Sequence, residues 1–289
     1  MSAYLGIRNL SVSLRGGTRI LRRVSLDVDA GQVHGLVGES GAGKSMIGKA
    51  VLGTLPRGLS VTGGEIWLDG VDLLAMTPKQ RRTVIGAKAA LIPQDPMTAL
   101  NPSKRIGPQI TGRLVDILGW TKARADARAL ELLAEVHIPD PARVMRSYPH
   151  ELSGGMRQRV LIASAFAAEP KLIIADEPTT ALDEMVQKQI LKLIAQMQAL
   201  HGTALLFVTH DLGVVSKVCD TLSVLYAGKV VEEANMRRFF MRPIHPYSRA
   251  LLAATPTYKD PTGSLTPVHE TVIAQVERDI ADHDIRNRT

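Results

Sequence analysis

The stretch Gly38-Glu39-Ser40-Gly41-Ala42-Gly43-Lys44-Ser45 constrains the fold of this chain more than any other. It follows the apolar run Val33-His34-Gly35-Leu36-Val37 and precedes a helix-like run from Met46 to Leu55. Strand, glycine-rich loop and helix in that order make a phosphate-binding unit. The glycines let the backbone curl tightly and aim successive N–H groups at phosphate oxygens. A helix beginning at Lys44 adds the positive end of its dipole. In such a loop Lys44 reaches the β- and γ-phosphates and the Ser45 hydroxyl ligates Mg²⁺. An ordinary glycine-rich turn is the plainer alternative, but the flanking strand and helix favour a nucleoside triphosphate site.

At 289 residues the chain can form one large domain or a core with a smaller insert. It is 45% hydrophobic and 22% charged, which suits a globular protein with a sizeable core. The net charge of +7 is compatible with nucleic acid, an anionic membrane surface or a phosphate ligand. The basic pairs Arg22-Arg23, Arg81-Arg82 and Arg237-Arg238 are scattered and read most simply as solvated faces. Aromatic residues are only 4%, so the stacking platforms of a single-strand binder are scarce and no nucleic-acid partner is expected. One cysteine, Cys219, excludes an intramolecular disulfide and a Cys-rich metal cluster, and accords with a cytosolic setting. Met1-Ser2-Ala3-Tyr4-Leu5-Gly6 lacks the basic start and apolar core of a signal peptide. No apolar stretch approaches the ~20 residues of a spanning helix, so any membrane association is expected to be peripheral.

The first third reads as strands and turns. Tyr4 to Leu14 and Ile20 to Val28 alternate, and Gly64 to Gly70 is a short strand closed by Asp-Gly. These look antiparallel. Ile106 to Gly119 and Lys122 to Val136 have helical spacing, with Leu130, Leu133, Ala134 and Val136 near one face; Pro139 and Pro141 break the region. Two buried strands follow, Lys171 to Asp176 and Thr203 to Thr209, joined by a helix lined by Val186, Ile190, Ile194 and Met197. Strands alternating with helices imply a parallel sheet, whose ligands sit beyond the strand C-termini. Gly38, Asp176 and His210 all lie at such ends, so one ligand site is expected to collect them. In the tail, Val268, Val272, Val276 and Ile280 recur every fourth residue; a short amphipathic helix and a loosely packed terminal helix of no special role fit equally well.

Asp176 and Glu177 leave an apolar strand together, and adjacent residues there point in different directions. That suits two roles: Asp176 holding Mg²⁺, usually through water, and Glu177 polarising the attacking water as general base. An isolated Asp-Glu pair would be read as a solvated turn. In Leu152-Ser153-Gly154-Gly155-Met156-Arg157-Gln158 a serine and two glycines open a helix, which makes an anion site; a plain serine N-cap is the simpler alternative.

The phosphate loop, Gln94, Leu-Ser-Gly-Gly-Met, Ile-Ile-Ala-Asp-Glu, Ala181-Leu182-Asp183 and His210, in that order, resemble the nucleotide-binding subunit of an ABC transporter over residues 4 to 256. The resemblance implies an α/β fold: a P-loop NTPase (RecA-like), mostly parallel sheet core with an antiparallel β subdomain and an inserted helical subdomain. Residues 1–95 and 163–240 would form the core, 96–162 the helical signature subdomain and 241–289 a C-terminal extension. It implies a head-to-tail pair of ATPase domains, each ATP and Mg²⁺ sandwiched between one phosphate loop and the other domain's Ser153-Gly154-Gly155. Gln94 would contact Mg²⁺ and the attacking water, His210 the γ-phosphate, and Asp183 the interface between the two domains.

Gln94 to Pro102, Tyr148 to Leu152, Asp176 to Asp183, His210 to Val215 and His245 to Leu252 narrow the resemblance. They look like the oligopeptide, dipeptide and nickel importer branch, and within it the "D" type of ATPase subunit. That type generally works with an "F"-type ATPase, two permeases and an extracytoplasmic solute-binding protein, at the cytoplasmic face of the inner membrane. The chain departs from the branch twice. No cysteine follows Cys219, so no iron–sulfur cluster is expected, and Leu14 stands where the family usually has an adenine-stacking aromatic residue. A soluble ABC-type ATPase acting on DNA or ribosomes would carry coiled-coil inserts or two cassettes, and neither is present. A non-hydrolysing regulatory module is disfavoured by Glu177 and His210.

Overall fold

The computed structural model describes residues 3–180 and 182–254, together with Val272, Ile273, Val276 and Arg278. Its strands are β1 Leu5–Leu14, β2 Arg19–Val28, β3 Val33–Val37, β4 Leu59–Leu68, β5 Val71–Asp72, β6 Ala89–Ile92, β7 Leu172–Asp176, β8 Ala204–Val208, β9 Thr221–Tyr226 and β10 Lys229–Asn235. The helices are α1 Lys44–Val51, α2 Pro78–Lys88, α3 Pro96–Ala99, α4 Ile106–Asp116, α5 Lys122–Glu135, α6 Pro141–Arg146, α7 Gly154–Phe166, α8 Glu184–His201, α9 Leu212–Val218, α10 Met236–Met241 and α11 Pro246–Ala253. The chain divides into two compact units: Met1–Leu5, Val28–Gln32 and Leu68–Phe207 in the first, Gly6–Asp27, Val33–Trp67 and Val208–Thr289 in the second.

In the first unit β8, β7 and β6 lie side by side, with β6 parallel to β7 and Ile92 opposite Ala175. Parallel strands are covered on both faces, and the sequence shows it: β8 is apolar and buried throughout, and β7 until Asp176. Helix α8 starts at Asp183, whose carboxylate accepts the Val186 N–H at 2.9 Å, and ends at Gly202 in the left-handed region. It buries Ile190, Leu191, Leu193, Ile194 and Met197.

The expected helices of this unit appear, with two corrections. In α5 the buried face is Ala125, Ala129, Leu132 and Leu133, continued by Val136, whereas Leu130 and Ala134 face solvent. Leu130 lies on the opposite side of the 3.6-residue turn from Leu132 and Ala125, so its hydropathy misplaced the stripe. Pro141 opens a helix rather than breaking one: it sits at the first position of α6, where no N–H is needed, behind the Asp140 cap. Gly107 of α4 passes so close to α6 that a Cβ would meet the Met145 carbonyl at 2.9 Å.

In the second unit β2, β1 and β4 form a sheet whose β1–β2 hairpin closes where the Leu14 N–H donates to the Thr18 carbonyl at 2.9 Å. The Asp-Gly closure after β4 is present, with φ of 52° at Asp69 and 75° at Gly70. Beside it run β10, β9 and β3, with β9 antiparallel to β10 and parallel to β3. A bulge between Val230 and Glu232 bends β10. The core here is Val37, Leu212, Val215, Leu222, Val224, Tyr226, Ala234, Phe239, Tyr247 and Val276. Of the tail positions expected to line a helix, Val272 and Val276 are helical and pack on this core; Val268 and Ile280 lie outside the described residues.

His34 is the polar exception in β3. It stands opposite Thr221 of β9, and Ser223, two residues on, shares its face. Its Nδ1 lies 2.8 Å from Thr221 Oγ1 and its Nε2 2.9 Å from Ser223 Oγ. Burial, opposed only weakly by the charge of Asp27, lowers its pKa from 6.5 to about 4. In that window the unfolded chain takes up a proton that the folded chain refuses, so stability is complete above the ordinary histidine range and falls as pH drops toward 4. We expect roughly 3 kcal/mol to be lost between pH 7 and pH 4 from this residue. Urea unfolding across that range should show the slope, and His34→Gln should flatten it; an unchanged slope would refute the assignment.

Candidate functional site

The second unit holds the phosphate loop between β3 and α1. Gly38 has φ 153°, and a Cβ there would stand 2.1 Å from the Leu225 carbonyl oxygen, so only glycine lets the loop lie against the end of β9. Gly43, at φ 102°, is the residue before α1, and the Met46 N–H donates to its carbonyl at 3.0 Å. The hairpin turn after β9 supports the loop from one side: the Gly228 N–H donates to the Ala42 carbonyl at 2.9 Å. Lys44 is only 4% exposed, and its Nζ donates to the Gly38 and Glu39 carbonyls at 2.8 Å each. The loop thus keeps its own lysine folded across its mouth, held by oxygens that phosphate oxygens can replace. Glu39, Ser40 and Gly41 are exposed, and Ser45 is half-buried.

His210 belongs to the same unit and is exposed just past the end of β8. The Thr209 N–H donates to the Leu36 carbonyl at 3.1 Å, which ties the His210 segment to β3 just ahead of Gly38. Asp211 then caps α9, accepting the Gly213 N–H at 2.7 Å. Leu14 is 43% exposed at the end of β1.

The first unit holds Gln94, Asp176, Glu177 and Ser153-Gly154-Gly155. Register explains why the first three converge. Ile92 and Ala175 are partners in a parallel pair, so Gln94 and Glu177, each two residues further on, leave the sheet side by side. The Gln94 amide Nε2 donates to Glu177 Oε2 at 3.1 Å, and the Thr180 hydroxyl donates to the same oxygen at 2.9 Å. Glu177 itself has φ 46°, a left-handed conformation that costs a non-glycine residue about 1–2 kcal/mol. That left-handed residue turns the chain out of the sheet at the end of β7. Ser153 is the N-cap of α7, its hydroxyl accepting the Met156 N–H at 3.3 Å, and Ser153 and Gly154 are exposed.

Three contacts were not foreseen from the sequence. The buried Gln158 of α7 donates its amide to the Pro178 carbonyl at 2.8 Å, fastening the Ser153 helix to the turn that carries Glu177. Its signal is a polar residue on the buried side of an apolar helix. Thr180 holding Glu177 and the hairpin under Ala42 had no signal of their own, because both depend on where strands end. Ala181 lies outside the described residues; Leu182 is half-buried and Asp183 exposed.

A nucleotide-binding α/β cassette is the class of protein that this fold and these residues define. A family model described as "ABC transporter" matches residues 21–180, more than half of the chain, and the chain belongs to that family. A "Probable peptide ABC transporter ATP-binding protein" of Sinorhizobium fredii is 47% identical over 257 residues, covering 87% of this chain and 76% of the relative. The oligopeptide transport ATP-binding protein of Bacillus subtilis is 44% identical, with 89% and 73% covered, and the dipeptide transport ATP-binding protein of Escherichia coli is 44% identical, with 89% and 79% covered. Among solved structures, the cbiO1 protein of Clostridium perfringens, part of an ABC transporter complex, matches with a TM-score of 0.73 at 26% identity over 84% of this chain and 92% of that one. A dimeric ATP-binding cassette in a post-hydrolysis state with ADP and Pi matches with a TM-score of 0.70 at 26% identity, over 81% and 99%. The chain is a nucleotide-binding ATPase of the P-loop α/β fold.

Gly38→Ala tests the loop's geometry. The added methyl has no room at the Leu225 carbonyl, so stability should fall by about 1–3 kcal/mol in a thermal melt and ATP affinity by at least ~10-fold. An alanine variant that binds and melts like the parent would show that the strand end yields.

Proposed function

We propose that this chain is the ATP-hydrolysing, energy-coupling subunit of an ABC importer for peptides or related small solutes. The observation that carries the reading is the junction of Gln94, Glu177 and Thr180 beyond β6 and β7, in a chain 44–47% identical to peptide-transport ATPases along most of its length. ATP closes a pair of ATPase domains; hydrolysis and product release reopen it, and residues 96–162, as the helical subdomain inserted in a core of 1–95 and 163–240, pass the movement to the permeases. The fuller assembly would hold an "F"-type second ATPase, two permeases and an extracytoplasmic binding protein, with this chain at the cytoplasmic face of the inner membrane. Among the described residues no helix is long and apolar enough to cross a membrane, which fits attachment through partners. An ATPase acting on DNA or ribosomes is not favoured.

In this reading Gly38 to Ser45 bind the phosphates of ATP. Mg²⁺ would be held by the Ser45 hydroxyl, the Gln94 amide oxygen and Asp176, an all-oxygen set of the kind a hard cation takes. Bound there, the ion neutralises charge that develops on the phosphates. Glu177 accepts the proton of the attacking water, Gln94 orients that water, and His210 donates to the γ-phosphate. Lys44 leaves the carbonyls of Gly38 and Glu39 for the β- and γ-phosphates. Ser153, Gly154 and Gly155 serve the ATP bound by the partner subunit. No iron–sulfur cluster is proposed.

Glu177→Gln should keep ATP binding and lose turnover by at least ~10²-fold in the transporter assembled with its permeases and second ATPase. Near-normal turnover would remove Glu177 from its role. Wild-type turnover indifferent to those partners, or stimulated by DNA or ribosomes, would overturn the importer reading. Ser153→Arg should impair hydrolysis by the assembled pair and spare ATP binding by the isolated chain; loss of binding in isolation would contradict the sandwich.

A further inference from the structure

The segment His245-Pro246-Tyr247-Ser248 takes no part in the chemistry above, yet its Tyr247 packs into the core that the end of β3 shares with β9. One carboxylate fixes it: Glu232, beside the bulge of β10, accepts the Ile244 and His245 N–H groups at 2.9 Å each. His245 Nδ1 in turn accepts the Tyr247 N–H at 3.2 Å, and Pro246 opens α11. These bonds turn Tyr247 inward. It is fully buried, its ring centroid 4.6 Å from that of Tyr226 at an interplanar angle of 50°. Tyr226 follows Leu225, whose carbonyl oxygen Gly38 lies against. Tyr247 also shares one packed core with Val37, the residue before Gly38, and Leu212, two residues after His210.

The hydroxyl is the telling atom. It is buried against Glu39, whose main chain and carboxylate both act on it, at contacts looser than a full hydrogen bond. Burial, and then the charge of Glu39, push the phenol well above the ordinary tyrosine range, so it stays protonated wherever ATP is bound. A buried hydroxyl without a full bond costs folding energy, and a phenylalanine would pack the same space without that cost.

We propose that Tyr247 is a positioning residue for the nucleotide: wedged against Tyr226 and with its hydroxyl facing Glu39, it holds the phosphate loop in its receiving form, so that the C-terminal segment sets nucleotide affinity. The inference rests on Gly38 to Ser45 being the phosphate site. The test is equilibrium titration of the full chain with ATP in EDTA, which prevents turnover, alongside thermal melts. Tyr247→Phe should melt at the same temperature as wild type or higher, yet bind ATP about fivefold more weakly, the scale of one loose polar contact to the loop. In a Glu39→Ala background the same change should have no further effect on binding. Wild-type affinity in Tyr247→Phe, or an undiminished loss in the Glu39→Ala background, would overturn the proposal. A wild-type chain that fails to bind ATP would instead remove the phosphate-site reading beneath it.

Discussion

Close packing of main chain on main chain at one point governs the nucleotide half of this molecule. Gly38 lies so near the Leu225 carbonyl that no side chain fits between the start of the phosphate loop and the end of β9. The loop therefore cannot drift from the sheet, and its remaining residues have little choice of path. Lys44 folds back on the carbonyls of Gly38 and Glu39, and the Gly228 turn holds Ala42. The loop's path is set by its own main-chain contacts, so phosphate binding spends little on ordering the backbone.

The other unit reaches its geometry by a different route. Parallel pairing of β6 and β7 delivers Gln94 and Glu177 to the same height, and the left-handed turn at Glu177 takes the chain out of the sheet. Thr180 and Gln158 then pin that turn from two sides. A strained residue persists only where its surroundings overdetermine it, and here three side chains from three segments, Gln94, Gln158 and Thr180, do so.

Much of this was legible in the sequence because the signals were local. The phosphate loop announces itself by residues that must be adjacent, and the strands ending at Val37, Asp176 and Val208 by short apolar runs. The four-residue strand Ala89–Ile92 was not read: two alanines and two aliphatics directly after the helix Pro78–Lys88 have no period of their own, and only pairing with β7 makes them a strand. The face of α5 was misplaced because Leu130 is apolar and exposed. Among the site residues, Gln158, Thr180 and Tyr247 escaped for one reason. Each acts on a group that only the folded backbone brings within reach: for Thr180 the left-handed turn at Glu177 three residues before it, for Gln158 a carbonyl 20 residues away, and no spacing rule connects Tyr247 to Glu39.

The pair of hydroxyls around His34 has a consequence for how the chain avoids misassembly. Apolar parallel strands offer little to distinguish one alignment from the next, since valine on leucine is as good as valine on isoleucine. A slip of β3 by one residue along β9 would turn the imidazole to the opposite face, away from Thr221 and Ser223. It would also move Gly38 by ~3.3 Å, enough to miss the Leu225 carbonyl altogether. The misaligned sheet would thus hold a stranded imidazole and a displaced loop together, so the histidine marks the one register in which both are placed.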